Sequence, residues 1–224
     1  MITASTRMVA LLGHPVEHSL SPRMQNAAFA ALALDWAYVA LDVPPESLEE
    51  ALRGLAAAGF AGANVTAPHK LAVAKLVEAE TPSVNTLVFR DGRIEGTSTD
   101  AAILDGLQTV RPVVLGDGGA AQAFLQALPS ARSFSRRGEW PPDVADADLV
   151  VNATAARDEA LVELRAGQTL VDLPYPGSAT AAAAVEAGAT VYDGLDVLVA
   201  QGAASLELWT GLPAPIEVMR AAVR

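Results

Sequence analysis

Lys70 is one of two lysines in the chain, against thirteen arginines. Lysine, unlike arginine, titrates readily enough to give or take a proton, and a nearby carboxylate would hold and orient it. Ser19 and Ser21 flank one expected helix start, Thr66 and Lys70 flank another, Asn85 opens a strand, and Asp100 begins a later helix. Hydroxyls, a carboxamide and a lysine suit a small polyhydroxylated ligand. Taken singly, the serines and the threonine fit helix caps equally well, and Lys70 fits a solvated helix position. Their joint occurrence favours a site. A second constellation is the turn Gly116-Asp117-Gly118-Gly119-Ala120-Ala121 after an apolar run. It is a variant of the dinucleotide fingerprint with alanine in the third glycine position, which still lets the backbone approach a pyrophosphate at a helix N-terminus. Asp117 opposes that use unless its carboxylate points away, and a tight turn with no ligand is the alternative. Ser135-Arg136-Arg137 stands where an acidic residue would bond a ribose 2′-hydroxyl. Arginines there suit a 2′-phosphate, hence NADP over NAD, unless they form a solvated surface pair.

Short β-branched runs alternate with alanine-rich helical ones, the pattern of a mostly parallel sheet covered by helices. Strands are expected at 8–12, 36–43 and 62–66, with a hairpin pairing 84–89 and 93–97 across Asp91-Gly92. Helices are expected at 21–34, 45–58 and 68–79, the first capped by Ser21 with Pro22 in its opening turn. A helix over 100–109 leads into a second unit with strands at 112–115, 133–135, 149–152, 169–173 and 190–192. Helices at about 202–209 and 214–223 close the chain. In open α/β sheets ligands bind beyond the carboxyl ends of the strands, where the serine, threonine and lysine loops should meet.

With 224 residues, 51% hydrophobic and 18% charged, the chain can bury the core of one large or two small domains. Its longest apolar run, 27–34, falls far short of the roughly 20 residues of a membrane helix, so no membrane partner is expected. The stretch after Arg7 is too short for a secretion signal, and a cytoplasmic protein is expected. The absence of cysteine removes disulfides and thiolate chemistry, and three histidines make a metal site unexpected. A net charge of -11 argues against a nucleic-acid partner.

The motifs together carry a family resemblance. They run Gly13-His14-Pro15-Val16-Glu17-His18-Ser19-Leu20-Ser21-Pro22, then Asn64-Val65-Thr66-Ala67-Pro68-His69-Lys70, Val84-Asn85-Thr86 and Ser98-Thr99-Asp100. The Gly116 turn, Asn152-Ala153-Thr154, Asp172-Leu173-Pro174-Tyr175-Pro176 and Gln201-Gly202 before Leu208-Trp209-Thr210-Gly211 follow in order. This set resembles the shikimate dehydrogenases. The resemblance implies an α/β fold: an N-terminal substrate domain with a mostly parallel sheet, and a reduced Rossmann-type nucleotide domain, with a cleft between them. The boundaries would be 1–99 with 203–224 for the substrate and catalytic domain and 100–202 for the NADP domain. The implied reaction is reversible, NADP-dependent reduction of 3-dehydroshikimate to shikimate in aromatic amino-acid biosynthesis.

By the same resemblance, Lys70 and Asp100 would form the catalytic dyad. Ser19, Ser21, Thr66, Asn85, Tyr175 and Gln201 would bind substrate. Gly116, Gly118, Gly119, Ala120, Ser135, Arg136, Arg137, Asn152, Thr154 and Gly194 would bind the cofactor, in a monomer or homodimer. The chain departs from the family mostly on the cofactor side. Residues 136–148 leave room only for a minimal crossover interrupted by Pro141-Pro142, so one helix of the nucleotide domain is expected to be missing. Ser98 and Ser135 replace asparagines, and Asp196 and Val197 stand where glycine and methionine are usual. The alternatives are therefore a cofactor-impaired shikimate-binding relative with a regulatory role, or a quinate/shikimate dehydrogenase.

Overall fold

Near-continuous apolar strands belong in sheets buried on both faces, and residues 9–12 are buried to the point of near-zero exposure. In the computed structural model, which describes residues 2–224, they form the middle of β1 (Arg7–Gly13). Next come α1 (Ser21–Ala31), β2 (Trp36–Asp42), α2 (Leu48–Ala57), β3 (Gly62–Val65), the single turn α3 (Lys70–Val73), β4 (Glu78–Ala79), β5 (Thr86–Arg90) and β6 (Arg93–Thr97). The sheet order is β2-β1-β3-β5-β6-β4. β1 lies parallel to β2 and β3, while β5 runs antiparallel to β3 and to β6. Because the chain reaches β2 on one side of β1 and β3 on the other, the carboxyl ends of β1 and β3 form a topological switch point.

The second sheet is wholly parallel. It is built from β7 (Pro112–Leu115), α4 (Gly119–Ala127), β8 (Arg132–Phe134), β9 (Leu149–Asn152), β10 (Thr169–Asp172), α5 (Ala179–Glu186) and β11 (Thr190–Tyr192). Its order, β11-β10-β9-β7-β8, puts a second switch point between β7 and β9. The chain closes with α6 (Gly194–Thr210) and α7 (Ile216–Val223). Two compact units result, one of residues 100–198 and one of the residues on either side.

Within the first unit, Trp209 of α6 donates its indole N–H to the Leu87 carbonyl at 2.9 Å, and Gly62 leaves room for that ring. A side chain on Gly62 would overlap the indole. The outer edge of β2 is covered locally: the Asn26 carboxamide donates to the Tyr38 carbonyl and accepts from the Tyr38 N–H, both at 2.9 Å. At the other edge β4 is two residues long, and an open groove beside it is lined by Glu78, Glu80, Glu95 and Leu208.

Several expectations need correction. Ser21 does not cap α1; Leu20 occupies the cap position without a side-chain bond, and the Ser19 hydroxyl accepts the Ser21 amide at 3.2 Å. The expected helix over 68–79 shrinks to α3, because Val84 donates its amide to the Lys70 carbonyl and the chain leaves for the sheet edge as β4. The helix expected over 100–109 is a 3-10 turn, Asp100–Leu104, followed by Gly106 at φ +81. Helix α5 was not expected, although Ser178 before an alanine run is a cap signal; its hydroxyl accepts the Ala181 amide at 3.0 Å. The connection 135–148 holds no helix, as the sequence suggests, and 153–168 holds none either. Val144, Ala147, Val162 and Leu164 from these segments cover the sheet in their place.

Candidate active site

At the first switch point β1 ends on Gly13, where a Cβ would overlap the Thr66 methyl and lie 2.7 Å from Val16. Glycine thus lets the loop after β1 press against the loop after β3. The first loop carries Ser19, half-buried, and Ser21, 7% exposed; the second carries Thr66 and Lys70, both half-buried. The turn before Lys70 is pinned by His69, which is buried and whose Nε2 lies 2.7 Å from the Val43 carbonyl. A carbonyl only accepts, so this nitrogen carries the proton. At the start of the first loop, His14 Nδ1 meets Asp42 Oδ1 at 2.6 Å as a half-exposed pair.

Asn85 sits at the same end of the sheet, its carbonyl accepting the Val65 amide at 2.8 Å. Its Oδ1 accepts from the Thr99 amide at 2.7 Å, which forces its Nδ2 toward the Thr99 hydroxyl at 3.0 Å and Gln201 Oε1 at 3.4 Å. Beneath it lies a buried polar cluster that the sequence reading missed. Asn64 Nδ2 approaches the Asn85 carbonyl, the Thr86 hydroxyl and the Ser205 hydroxyl at 3.1, 3.2 and 3.0 Å, and Asn64 Oδ1 accepts from Tyr38 at 2.8 Å. Asn64 was available in the sequence as a carboxamide within a fully buried strand, a position that demands partners. The first unit therefore brings together Ser19, Ser21, Thr66 and Lys70 on adjoining loops, and joins Asn85 to Gln201. Asp100, 7% exposed, and half-buried Tyr175 belong to the second unit.

The second switch point repeats the glycine device in a stricter form. Gly116 follows β7 at φ +118, where side chains are strained, and a Cβ there would sit 2.9 Å from the Ala153 carbonyl oxygen. Gly118 is the N-cap of α4 with open space around it, and Gly119 and Ala120 form the first turn. Such a cradle of small residues at a helix N-terminus fits a pyrophosphate. Arg137 Nε lies 3.7 Å from Asp117, so the carboxylate is turned toward a cation. Arg136 pairs with Glu159 and lies over the Trp140 ring at 5.6 Å. Ser135 accepts the Gly138 amide through its carbonyl and starts the tight turn that presents both arginines.

Across the turn, Asn152 Oδ1 accepts the Thr154 hydroxyl at 2.7 Å and the Thr154 amide at 3.2 Å, while Asn152 Nδ2 donates to Asp172 Oδ1 at 2.7 Å. Burial pushes the Asp172 carboxyl above the usual carboxylate range, and Asp193 acts in the same direction. At Gly194 a Cβ would lie 2.6 Å from the Leu173 and Pro174 carbonyl oxygens, so glycine lets this loop close on the start of α6. Asp148 shows the opposite balance. Burial opposes its charge, but the Thr109 hydroxyl and the Val110 and Arg111 amides outweigh burial and hold its carboxyl below the usual range. Among the described residues no acidic or histidine cluster suited to a metal occurs, and no helix is long and apolar enough to cross a membrane.

Comparison with known proteins covers the whole chain. The shikimate dehydrogenase substrate binding domain family matches residues 11–87, and the shikimate 5'-dehydrogenase C-terminal domain family matches 194–224. The NADP(+) shikimate dehydrogenase of Methanopyrus kandleri is 39% identical across 99% of this chain and 96% of its own. That alignment spans 279 positions against 224 residues here, so the relative holds segments this chain lacks. A crystal structure of shikimate dehydrogenase from Aquifex aeolicus aligns over the whole of both chains with a TM-score of 0.90 at 29% identity. The Thermus thermophilus shikimate 5-dehydrogenase, crystallised with NADP(H) and shikimate, aligns over 98% of this chain and 99% of its own with a TM-score of 0.86 at 31% identity. With relatives of this identity spanning nearly the full chain, the protein belongs to the shikimate dehydrogenase family.

Proposed function

We propose that the chain catalyses the reversible, NADP-dependent reduction of 3-dehydroshikimate to shikimate. The observation that carries this reading is the grouping of Lys70 with Ser19, Ser21, Thr66, Asn85 and Gln201 in one unit of a chain that belongs to this family. In the proposed chemistry the hydroxyls and carboxamides hold the hydroxyl and carboxylate groups of the cyclohexene acid, with Tyr175 assisting. NADPH, when bound, supplies the hydride. Lys70 delivers a proton to the carbonyl oxygen as its carbon is reduced, and recovers it in the reverse direction. Asp100 holds and orients the Lys70 ammonium. No metal is needed, because positioning and one proton transfer carry the step.

For the cofactor, Gly116, Gly118, Gly119 and Ala120 would receive the pyrophosphate. Ser135, Arg136 and Arg137 would meet the 2′-phosphate, while Asn152, Thr154 and Gly194 shape the loops beside the nicotinamide. The test is NADPH formation from NADP and shikimate, with quinate and NAD in parallel arms. Shikimate with NADP should be the favoured pair. Turnover of quinate alone would move the chain to a quinate-specific role, and shikimate binding without turnover in any arm would overturn the catalytic reading.

A further inference from the structure

Ser205 touches neither the proposed substrate loops nor the dinucleotide turn, yet it is completely buried on α6, one turn after Gln201. Its hydroxyl carries a single proton and lies 2.9 Å from the Gln201 carbonyl, an atom that only accepts, so the proton goes there. The Ser205 oxygen then has two lone pairs left to share among its other neighbours. Those neighbours are Asn64 Nδ2 at 3.0 Å, the Thr86 hydroxyl at 2.8 Å and the Thr99 hydroxyl at 3.1 Å.

The same proton count fixes Asn85. The Thr99 amide only donates, so Asn85 must face it with Oδ1, and the Thr99 oxygen must accept from Asn85 Nδ2. The Thr99 and Thr86 hydroxyls both reach Asn85 Oδ1, at 3.2 and 3.0 Å, where they would compete with the Thr99 amide; Ser205, at 3.1 and 2.8 Å, offers them an acceptor that does not. The outcome is a carboxamide with its N–H groups turned toward Gln201.

We propose that Ser205 is a positioning residue for substrate recognition, setting through Thr86 and Thr99 which face of the Asn85 carboxamide is presented and holding the turn that carries Gln201. The inference rests on the proposed function, which assigns Asn85 and Gln201 to the substrate. Removing the hydroxyl sends the Thr86 and Thr99 protons to Asn85 Oδ1, 3.0 and 3.2 Å away, where they compete with the Thr99 amide for an oxygen with two lone pairs, so the cluster rearranges at the expense of Asn85.

The experiment is steady-state kinetics on Ser205→Ala, Ser205→Thr and Thr86→Val, with calorimetric titration of shikimate and, separately, of NADPH. For Ser205→Ala the KM and Kd for shikimate should rise about tenfold while kcat changes by less than about twofold and the NADPH Kd is unchanged. Thr86→Val should show the same signature more weakly, and Ser205→Thr, which keeps the hydroxyl, should recover most of the affinity. Should Ser205→Ala not fold, Thr86→Val carries the decision alone. Unchanged shikimate affinity, with or without a lower Tm, overturns the inference, as does an equal loss in shikimate and NADPH binding. Failure of the wild-type chain to bind shikimate would instead remove the functional reading beneath it.

Discussion

The two switch points solve the same geometric problem with different means. In the first, Gly13 makes room for Thr66 and Val16, and the surrounding polar groups are buried and bonded to one another through Asn64, Asn85, Thr86, Thr99 and Ser205. In the second, Gly116 is required by both its φ of +118 and the Ala153 carbonyl, and the arginines beside it, Arg136 and Arg137, are exposed and paired with Glu159 and Asp117 across the surface. A polyhydroxylated ligand is read by fixed donors and acceptors, which only a buried network holds still. A phosphate is read mainly by charge and backbone amides, which tolerate a looser frame. The difference also fits how the second unit is built: the unit that relies on backbone and charge crosses from β8 to β9 and from β9 to β10 without helices.

Lys70→Met breaks the comparison most severely. Turnover should fall by about 10² to 10⁴, with shikimate and NADPH affinities barely altered. Retention of turnover in steady-state assays would take the proton transfer away from Lys70.

Alanine at each glycine dissects the two sites. Gly116→Ala adds backbone strain of about 1–3 kcal/mol and a clash, so NADPH should bind at least about tenfold more weakly while shikimate affinity holds. Gly13→Ala should do the reverse, since the crowded groups are Thr66 and Val16. Titration of both ligands against both variants would show matched losses if the sites were not separable in this way.

Two carboxylates of the second unit give opposite pH dependences. Asp172 holds its proton to higher pH than an unfolded aspartate, whose value is about 3.9, so its contribution to stability is greatest below that value and is lost as pH rises through the raised one. Asp148 is depressed, so its contribution is present above about pH 3.9 and disappears as pH falls through the lower folded value. Asp172→Asn should flatten the first slope and leave the neutral-pH Tm unchanged or raised by on the order of 2–4 °C. A Tm profile parallel to the wild type would mean that Asp172 is ionised without cost.

The smallest effect concerns Glu159. Its pair with Arg136 is exposed, 61% and 56% for the two side chains, and such pairs contribute about 0–1 kcal/mol. Glu159→Gln releases Arg136, so NADPH should bind up to about fivefold more tightly with NADH unchanged. Equal gains for both nucleotides would show that Arg136 does not distinguish the 2′-phosphate.

The parallel strands and both glycine turns were legible in the sequence because apolar runs and punctuating glycines are local signals. The Asp91-Gly92 hairpin was equally plain, and both residues adopt positive φ, 51° and 74°. Helix lengths were not legible. Residues 68–79 have helical composition, yet the tie from Val84 to the Lys70 carbonyl and the demand for a sheet edge decide their fate, and both are tertiary. The site loops could be named from motifs, but the Ser205 cluster could not, because its members lie up to 141 residues apart in the chain. A buried serine on a helix looks like any other until its neighbours are known.

The flanks of the first sheet bear on how this chain behaves in a crowded solution. A row of unpaired backbone groups on an outer strand is a template for another chain, and an alanine-rich sequence that is 51% hydrophobic is exposed to that hazard. On one flank the Asn26 carboxamide imitates a neighbouring strand at Tyr38, engaging its N–H and carbonyl before a stranger can. On the other, the stub of β4 offers almost no length to pair with, and Glu78, Glu80 and Glu95 repel acidic copies of the same chain. Resistance to aggregation is thus written into two short stretches, one by mimicry and the other by brevity and charge.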